Sequence, residues 1–317
     1  MSRIGGQSTC PTHGHTWANS DCRTSVRAFL CGVRGSTPAP GPDFVKYGGH
    51  TSSVALAHDG ELPSLVIDAG TGLRRVTNLL DGAPFQGSIV LSHLHWDHVH
   101  GLPFFQGGAR QGHRVNVFLP AINGDAVGTL SRGLSPPHFP IGPTELGPGW
   151  TFDPLVEGPR ELEGFEVLVR EIPHKGGRTF GFRVTDGAGS LAYLGDHFPL
   201  GEGAGPDGLG AYHPAALALA HEVDVLLHDA QFLAAQFPGV TYLGHSAIEY
   251  AIGLASRAGA KALMLFHHAP DRTDDELDAI VASFADAPIR VIAATEGTVA
   301  ALGVPGSPVV TTPSTAE

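Results

Sequence analysis

The sequence predicts an α/β protein in which two β-sheets pack face to face with helices outside, a four-layer αββα sandwich. Two observations carry this. Short runs rich in β-branched residues lead each half of the chain, and helical stretches follow them. The two halves also share this order, without an exact internal repeat.

In the first half, VRAFLCGV (26–33), SSVALAH (52–58) and SLVIDAG (64–70) read as strands, and a helix follows over 71–80. SIVLS (88–92) is a buried strand that runs straight into a histidine-rich loop, and VNVFLP (115–120) is another strand. Residues 121–160 are rich in Pro and Gly and include SPPHFP (135–140), which reads as a long lid or binding loop. The second half opens with strands over 164–172, 180–185 and 190–195. Helix 213–222 then precedes strand 223–229, and helix 245–258 precedes strand 260–267. Thr273 and Glu276 have capping-box spacing for a helix over 274–286, and strand 289–294 closes the order. Residues 1–24 and 303–317 read as flexible tails around one domain, 25–302.

Apolar residues make up 42% of the chain and charged residues 16%, which suits an ordinary globular enzyme. The formal net charge is −12, from 31 acidic and 19 basic residues. Such a chain repels a long nucleic acid except at a basic patch, and no run of Lys and Arg supplies one. A small anion is still admissible, because bound metal ions reverse the local field. Three Cys argue against a disulfide framework. The sequence shows no apolar run long enough for a membrane helix and no signal-peptide core, so no membrane partner and a cytoplasmic location are expected.

The 18 His decide the functional reading. His93-Leu94-His95-Trp96-Asp97-His98 follows the strand SIVLS directly. Alternation along extended backbone points His93 and His95 the same way, and Asp97 and His98 come where the chain turns toward a helix. Four ligands in six residues then face one cavity. Two imidazoles can serve one metal, and a carboxylate with an imidazole can serve another. Nitrogen and oxygen donors suit Zn(II), and Mn(II) or Fe(II) also fit.

HLHWDHVHGL resembles the signature of the metallo-β-lactamase superfamily, and the later segments resemble its ribonuclease Z-like and cyclic-nucleotide phosphodiesterase branch over about residues 26–300. The resemblance implies the metallo-β-lactamase fold and two divalent metal ions. His93, His95 and His174 (in EIPHKGG) would form one site. Asp97, His98 and His267 (in LMLFHHAP) would form the other, and Asp196 (in AYLGDH) would bridge them. His268 competes with His267, which the resemblance selects. It also assigns a non-ligand role on the phosphate or leaving group to His245 (in YLGHSAIEYA). Asp229, which closes the preceding strand, is placed to orient His245 as a carboxylate partner. Asp68 matches a bracing residue of the superfamily.

Other residues are candidates for substrate contact. His50 lies in a Gly-rich loop expected near the metals, where relatives tend to carry Asn. His138 and Phe139 sit in SPPHFP, placed to cover the pocket and stack on a base. His100 and His197 are expected behind the ligands or at the surface, and Cys10, His13, His15 and Cys22 form a weaker third metal candidate.

These readings converge on a dinuclear-metal phosphodiesterase for small phosphodiesters, foremost 3′,5′- or 2′,3′-cyclic nucleotides. A hydroxide between the ions would attack phosphorus, Asp97 would orient it, and His245 would donate a proton. Two other hydrolases remain open: a ribonuclease Z-like nuclease acting on RNA 3′ ends, and a lactonase- or thioesterase-type metallohydrolase. The missing basic arm argues against the first and the GHS element against the second. A binding module would need to have lost a ligand, and all seven are present. Dimers are common among similar proteins, and a homodimer stays open because no interface is readable.

Overall fold

A computed structural model describes residues 26–303 and 309–311. The segment 1–24, with Cys10, His13, His15 and Cys22, lies outside the described residues.

The first half contains β1 (Val26–Gly32), β2 (Ser53–Ala57), β3 (Leu65–Ile67), α1 (Leu73–Leu79), β4 (Gln86–Val90), α2 (Trp96–Val99), β5 (Arg114–Leu119), α3 (Ala126–Ser131) and β6 (Trp150–Pro154). The second half contains β7 (Gly158–Leu162), β8 (Phe165–Glu171), β9 (Phe180–Thr185), β10 (Ser190–Leu194), α4 (Pro214–Ala220), β11 (Val225–Asp229), α5 (Phe237–Val240), α6 (Ile248–Ala258), β12 (Ala262–Phe266), α7 (Asp274–Ser283) and β13 (Arg290–Ala293). β14 (Val299–Leu302) and β15 (Val309–Thr311) end the order. One sheet has eight strands ordered β15-β14-β1-β2-β3-β4-β5-β6, and the other has seven ordered β13-β12-β11-β10-β9-β8-β7.

Side-chain alternation explains the layering. On β10, Leu191 and Tyr193 enter the core between the sheets, while Ala192 and Leu194 face the helices. On β12, Met264 and Phe266 point inward and Leu263 and Leu265 outward. Strands apolar on both faces are what a sheet covered on both sides requires. α4 and α6 cover the outside of the seven-stranded sheet, and α1 covers the other through Leu73 and Val76. This is the expected four-layer αββα arrangement.

The parallel pairings position the site. β3, β4, β5 and β6 run parallel in one sheet, as do β10, β11, β12 and β13 in the other. Their carboxyl ends, where α/β folds commonly bind ligands, bring the polar residues that follow them to one edge of the sandwich.

Three expectations are corrected. The segment 121–160 is not only loop: it holds α3, β6 and part of β7. β6 and β7 are edge strands, where the prolines that hide a strand signal are tolerated. Trp150 anchors β6 by donating its Nε1–H to Gly108 O at 2.9 Å. Within 303–317, assigned to a tail, β15 pairs antiparallel with β14, with Val299 opposite Thr311. Finally, His245 does not start a helix. Ala247 caps α6 with extended backbone, so His245 lies in the segment before it. The capping box of Thr273 and Glu276 forms as expected. Among the described residues, no helix is long and apolar enough to cross a membrane.

Phe182 is fully buried between the sheets. Phe182→Ala should cost about 3–5 kcal/mol in urea unfolding through lost burial and the cavity it leaves. A cost below about 1 kcal/mol would contradict the two-sheet core.

Candidate metal centre

His93 follows β4, and His95 is the extended N-cap of α2 (φ −65°, ψ 154°). Asp97 and His98 then occupy the first turn of this short helix. Asp196 follows β10, Asp229 ends β11 and His267 follows β12. His174 lies in the turn between β8 and β9.

The structure gathers these side chains into two sets of closely spaced donor atoms: His93, His95, His174 and Asp196, and Asp97, His98 and His267. Asp196 joins them, with a different oxygen toward each. Its Oδ2 lies 3.6 Å from His93 Nε2 and 3.3 Å from His174 Nε2. Its Oδ1 lies 3.0 Å from both His98 Nε2 and His267 Nε2. Asp97 Oδ2 completes the second set, 3.0 Å from His267 Nε2 and 3.3 Å from His98 Nε2. His174 Nε2 is 3.3 Å from His95 Nδ1.

Hydrogen bonds around the cluster hold the outward nitrogens of three histidines. His174 donates Nδ1–H to Gly244 O at 2.8 Å, which puts its lone pair on Nε2. His98 donates Nδ1–H to Asp68 Oδ2 at 2.8 Å. Ser92 Oγ donates to Asp68 Oδ2 at 2.8 Å and accepts from His93 Nδ1 at 3.0 Å. Asp68 also accepts from Ser92 N at 2.7 Å and Tyr193 Oη at 2.6 Å. It therefore orients two of the histidines, as outer residues of metal centres do.

The electrostatics are those of a buried charge cluster. Burial pushes the His174 imidazole down to about 4, and burial with neighbouring histidines pushes His93 well below the usual range. Burial opposes ionisation of Asp97 and Asp196. His98 and bonds from His267 outweigh it at Asp97, and His267, His98, His93 and His174 outweigh it at Asp196, so both stay ionised. Burial also opposes charge on His98, yet Asp97, Asp196 and Asp68 raise it. A cation binding there would have to displace that proton.

His245 donates Nδ1–H to Asp229 Oδ2 at 3.0 Å. Burial works against its protonation, but Asp229 prevails and lifts it to about 9. Asp196, His245 and His267 also lie close enough to form a further donor group, but His245 Nδ1 is committed to Asp229. His268 points elsewhere: it donates Nε2–H to Ala294 O at 2.8 Å. His197 is buried behind the centre, with Nδ1 3.0 Å from His228 Nε2. His100 is at the surface, stacked on Trp96.

A cavity of about 1520 Å³ opens beside His93 and His95, and His50, His138 and Phe139 line it. His50 Nδ1 lies 3.3 Å from Thr71 Oγ1. Sequence reasoning overlooked Ser36, Gln231 and Glu296. Ser36 N donates to Asp97 Oδ2 at 2.8 Å, and Gln231 Nε2 lies 3.3 Å from His267 Nδ1. Glu296 accepts from His50 N. Glycines gave the available signal: a Cβ on Gly35 would sit 2.4 Å from His267 Nδ1, and one on Gly48 (φ 98°) 2.2 Å from Glu296 Cδ. Such glycines mark where backbone approaches a site.

Residues 64–268 match the family described as the beta-lactamase superfamily domain. A ribonuclease Z of Salinibacter ruber is 29% identical over 272 residues, which cover 73% of this chain and 84% of that protein. A ribonuclease Z of Exiguobacterium sibiricum is 27% identical over 230 residues, covering 60% of this chain and 73% of that protein. The crystal structure of the metallo-β-lactamase fold protein YhfI from Bacillus subtilis matches with a TM-score of 0.64 at 20% identity, covering 88% of this chain and 99% of that one. That likeness concerns the fold alone.

Asp68→Asn should weaken metal affinity about 10–100-fold with little change in circular dichroism; unchanged affinity in a chelator competition would remove Asp68 from the centre. Glu296 gives a pH test. Burial raises its carboxyl to about 7 in the folded chain, from an ordinary 4.5. The folded state therefore holds this proton more tightly. Its contribution is full below about 4.5 and lost as pH rises through about 7, roughly 3 kcal/mol in all. Glu296→Gln should flatten this part of the stability–pH curve in urea unfolding, and an unchanged slope would contradict the assignment.

Proposed function

The chain belongs to the metallo-β-lactamase superfamily, and from that premise we propose that it is a hydrolase that cleaves small phosphodiesters, cyclic nucleotides foremost, with two divalent cations. The observation that supports this most is the division of one buried carboxylate, Asp196, between two sets of donors.

The residues fit such ions. His93 Nε2, His98 Nε2 and Asp196 Oδ1 are buried without a hydrogen-bond partner, although opposite charges lie within 3.0–3.6 Å. Buried polar atoms close together yet not bonded to one another are aimed at a common third partner. His93, His95 and His174 would hold one ion, Asp97, His98 and His267 the other, and Asp196 both. Their nitrogen and oxygen donors suit Zn(II) first, then Mn(II) or Fe(II). Bound there, divalent ions supply Lewis-acid charge for the phosphoryl oxygens and make a nearby water acidic enough to ionise near neutral pH.

The remaining chemistry belongs to the side chains. Ser36 N, His98 and His267 all engage Asp97 through Oδ2, which leaves Oδ1 to orient the attacking water. His245 holds a proton because Asp229 fixes and charges its ring, and it delivers that proton from Nε2 to the departing oxygen. Cations nearby lower its pKa from about 9 toward the working range.

The net charge of −12 favours a small substrate over a long polyanion. The two relatives named ribonuclease Z favour a second reading, cleavage of RNA near its 3′ end. Parallel turnover of a cyclic nucleotide and a precursor RNA separates the two.

For adenosine 3′,5′-cyclic phosphate, whose leaving alkoxide needs a proton, His245→Ala should lower kcat about 10²–10⁴-fold with metal content retained. The loss for bis(p-nitrophenyl) phosphate should be much smaller, since p-nitrophenolate departs unaided. Equal losses would remove His245 from proton transfer. Asp196→Ala should lose metal and activity together, and full activity in metal-free protein would end the proposal.

A further inference from the structure

The walls of the cavity beside the metal centre are charged opposite to the chain as a whole. The protein has 31 acidic and 19 basic residues. Yet four arginines, Arg74, Arg75, Arg132 and Arg178, line this cavity, and no Asp or Glu among the described residues does. They come from three separate segments, around residues 74–75, 132 and 178, which is why no basic run announces them.

Two of the four are already matched. Arg75 lies 3.5 Å from Glu296, and Arg178 donates to Glu171 at 2.8 Å. Arg74 and Arg132 are exposed and hold no ion pair among the described residues. Metal ions at the histidine cluster would take the scissile phosphate, so these two guanidinium groups are left for a different anion. A planar fork of N–H donors suits phosphate oxygens.

The same cavity also offers a surface for a ring. Trp96 is 69% exposed and stacks on His100 at 5.7 Å, and Phe104 is 63% exposed and meets Phe139 edge-on at 5.8 Å. Exposed aromatics in a wet cavity offer faces on which a nucleobase stacks. The cavity, about 1520 Å³, exceeds the ~300–1,000 Å³ usual for a small ligand, which leaves room for a second charged group.

We propose that Arg74 and Arg132 bind a second phosphate of the substrate, so that the favoured substrates are nucleotide phosphodiesters that also carry a phosphate monoester. This rests on the phosphodiesterase reading above and names its substrate class.

The test compares adenosine 2′,3′-cyclic phosphate with and without a 5′-phosphate on the metal-loaded protein, alongside calorimetric binding of adenosine 3′,5′-bisphosphate and adenosine 3′-monophosphate. The extra phosphate should raise kcat/KM and tighten binding about tenfold or more, as charge-assisted bidentate contacts do. In Arg74→Ala/Arg132→Ala the two preference ratios should collapse toward one, and the double Lys variant should keep part of them. Ratios near one in the unmodified protein, or ratios retained in the double Ala variant, overturn the proposal. So does a single-stranded oligonucleotide that binds more tightly than the bisphosphate. A clear binding preference without turnover of either cyclic phosphate or of bis(p-nitrophenyl) phosphate supports the anion site and overturns the phosphodiesterase reading instead.

Discussion

A buried carboxylate with one oxygen toward each of two histidine sets is the constraint on which the structure turns. Asp196 is 1% exposed, and burying a charge so deeply is costly unless it is compensated. His98, held protonated 3.0 Å from its Oδ1, supplies part of that compensation, and cations held between the two donor sets would supply the rest. The site and the local fold therefore stabilise one another.

The sandwich makes this convergence possible. One sheet delivers the histidine motif from the end of β4, and the other delivers Asp196, Asp229 and His267 from the ends of β10, β11 and β12. Tyr193 ties the two layers together: it rises from β10 through the inter-sheet core and donates to Asp68 at the end of β3. Three non-glycine residues around the centre, Ser36, Asp68 and His267, adopt left-handed backbone with φ of 57–60°. Such strain persists where surrounding contacts over-determine it, and it concentrates at functional sites.

Much of this was legible in the residues. The histidine motif sits behind an apolar strand, so its geometry follows from strand alternation and a helix start. Asp229 ends a strand whose carboxyl end could be read from VDVLLHD, and the structure sets it beside His245. Strands β6, β7 and β15 escaped notice because edge strands tolerate Pro and short length, and β14 because its four residues, VAAL, are too few and too uniform to show an alternating pattern. Ser36 was invisible because it acts through its backbone amide, and Glu296 because it supports a loop distant in sequence. The arginine-lined cavity could not be read at all: residues 74, 75, 132 and 178 form one surface only after folding.

On the proposed function, the centre would let an acidic protein receive an anion. Cations held by the histidine and aspartate side chains would reverse the field where the scissile group sits, and the arginine wall extends that reversal outward. The most direct measurement is anomalous X-ray scattering from crystals grown with Zn(II). Two peaks should flank Asp196, one among His93, His95 and His174 and the other among Asp97, His98 and His267. A single peak, or peaks that do not touch Asp196, would contradict a shared carboxylate at the heart of the centre.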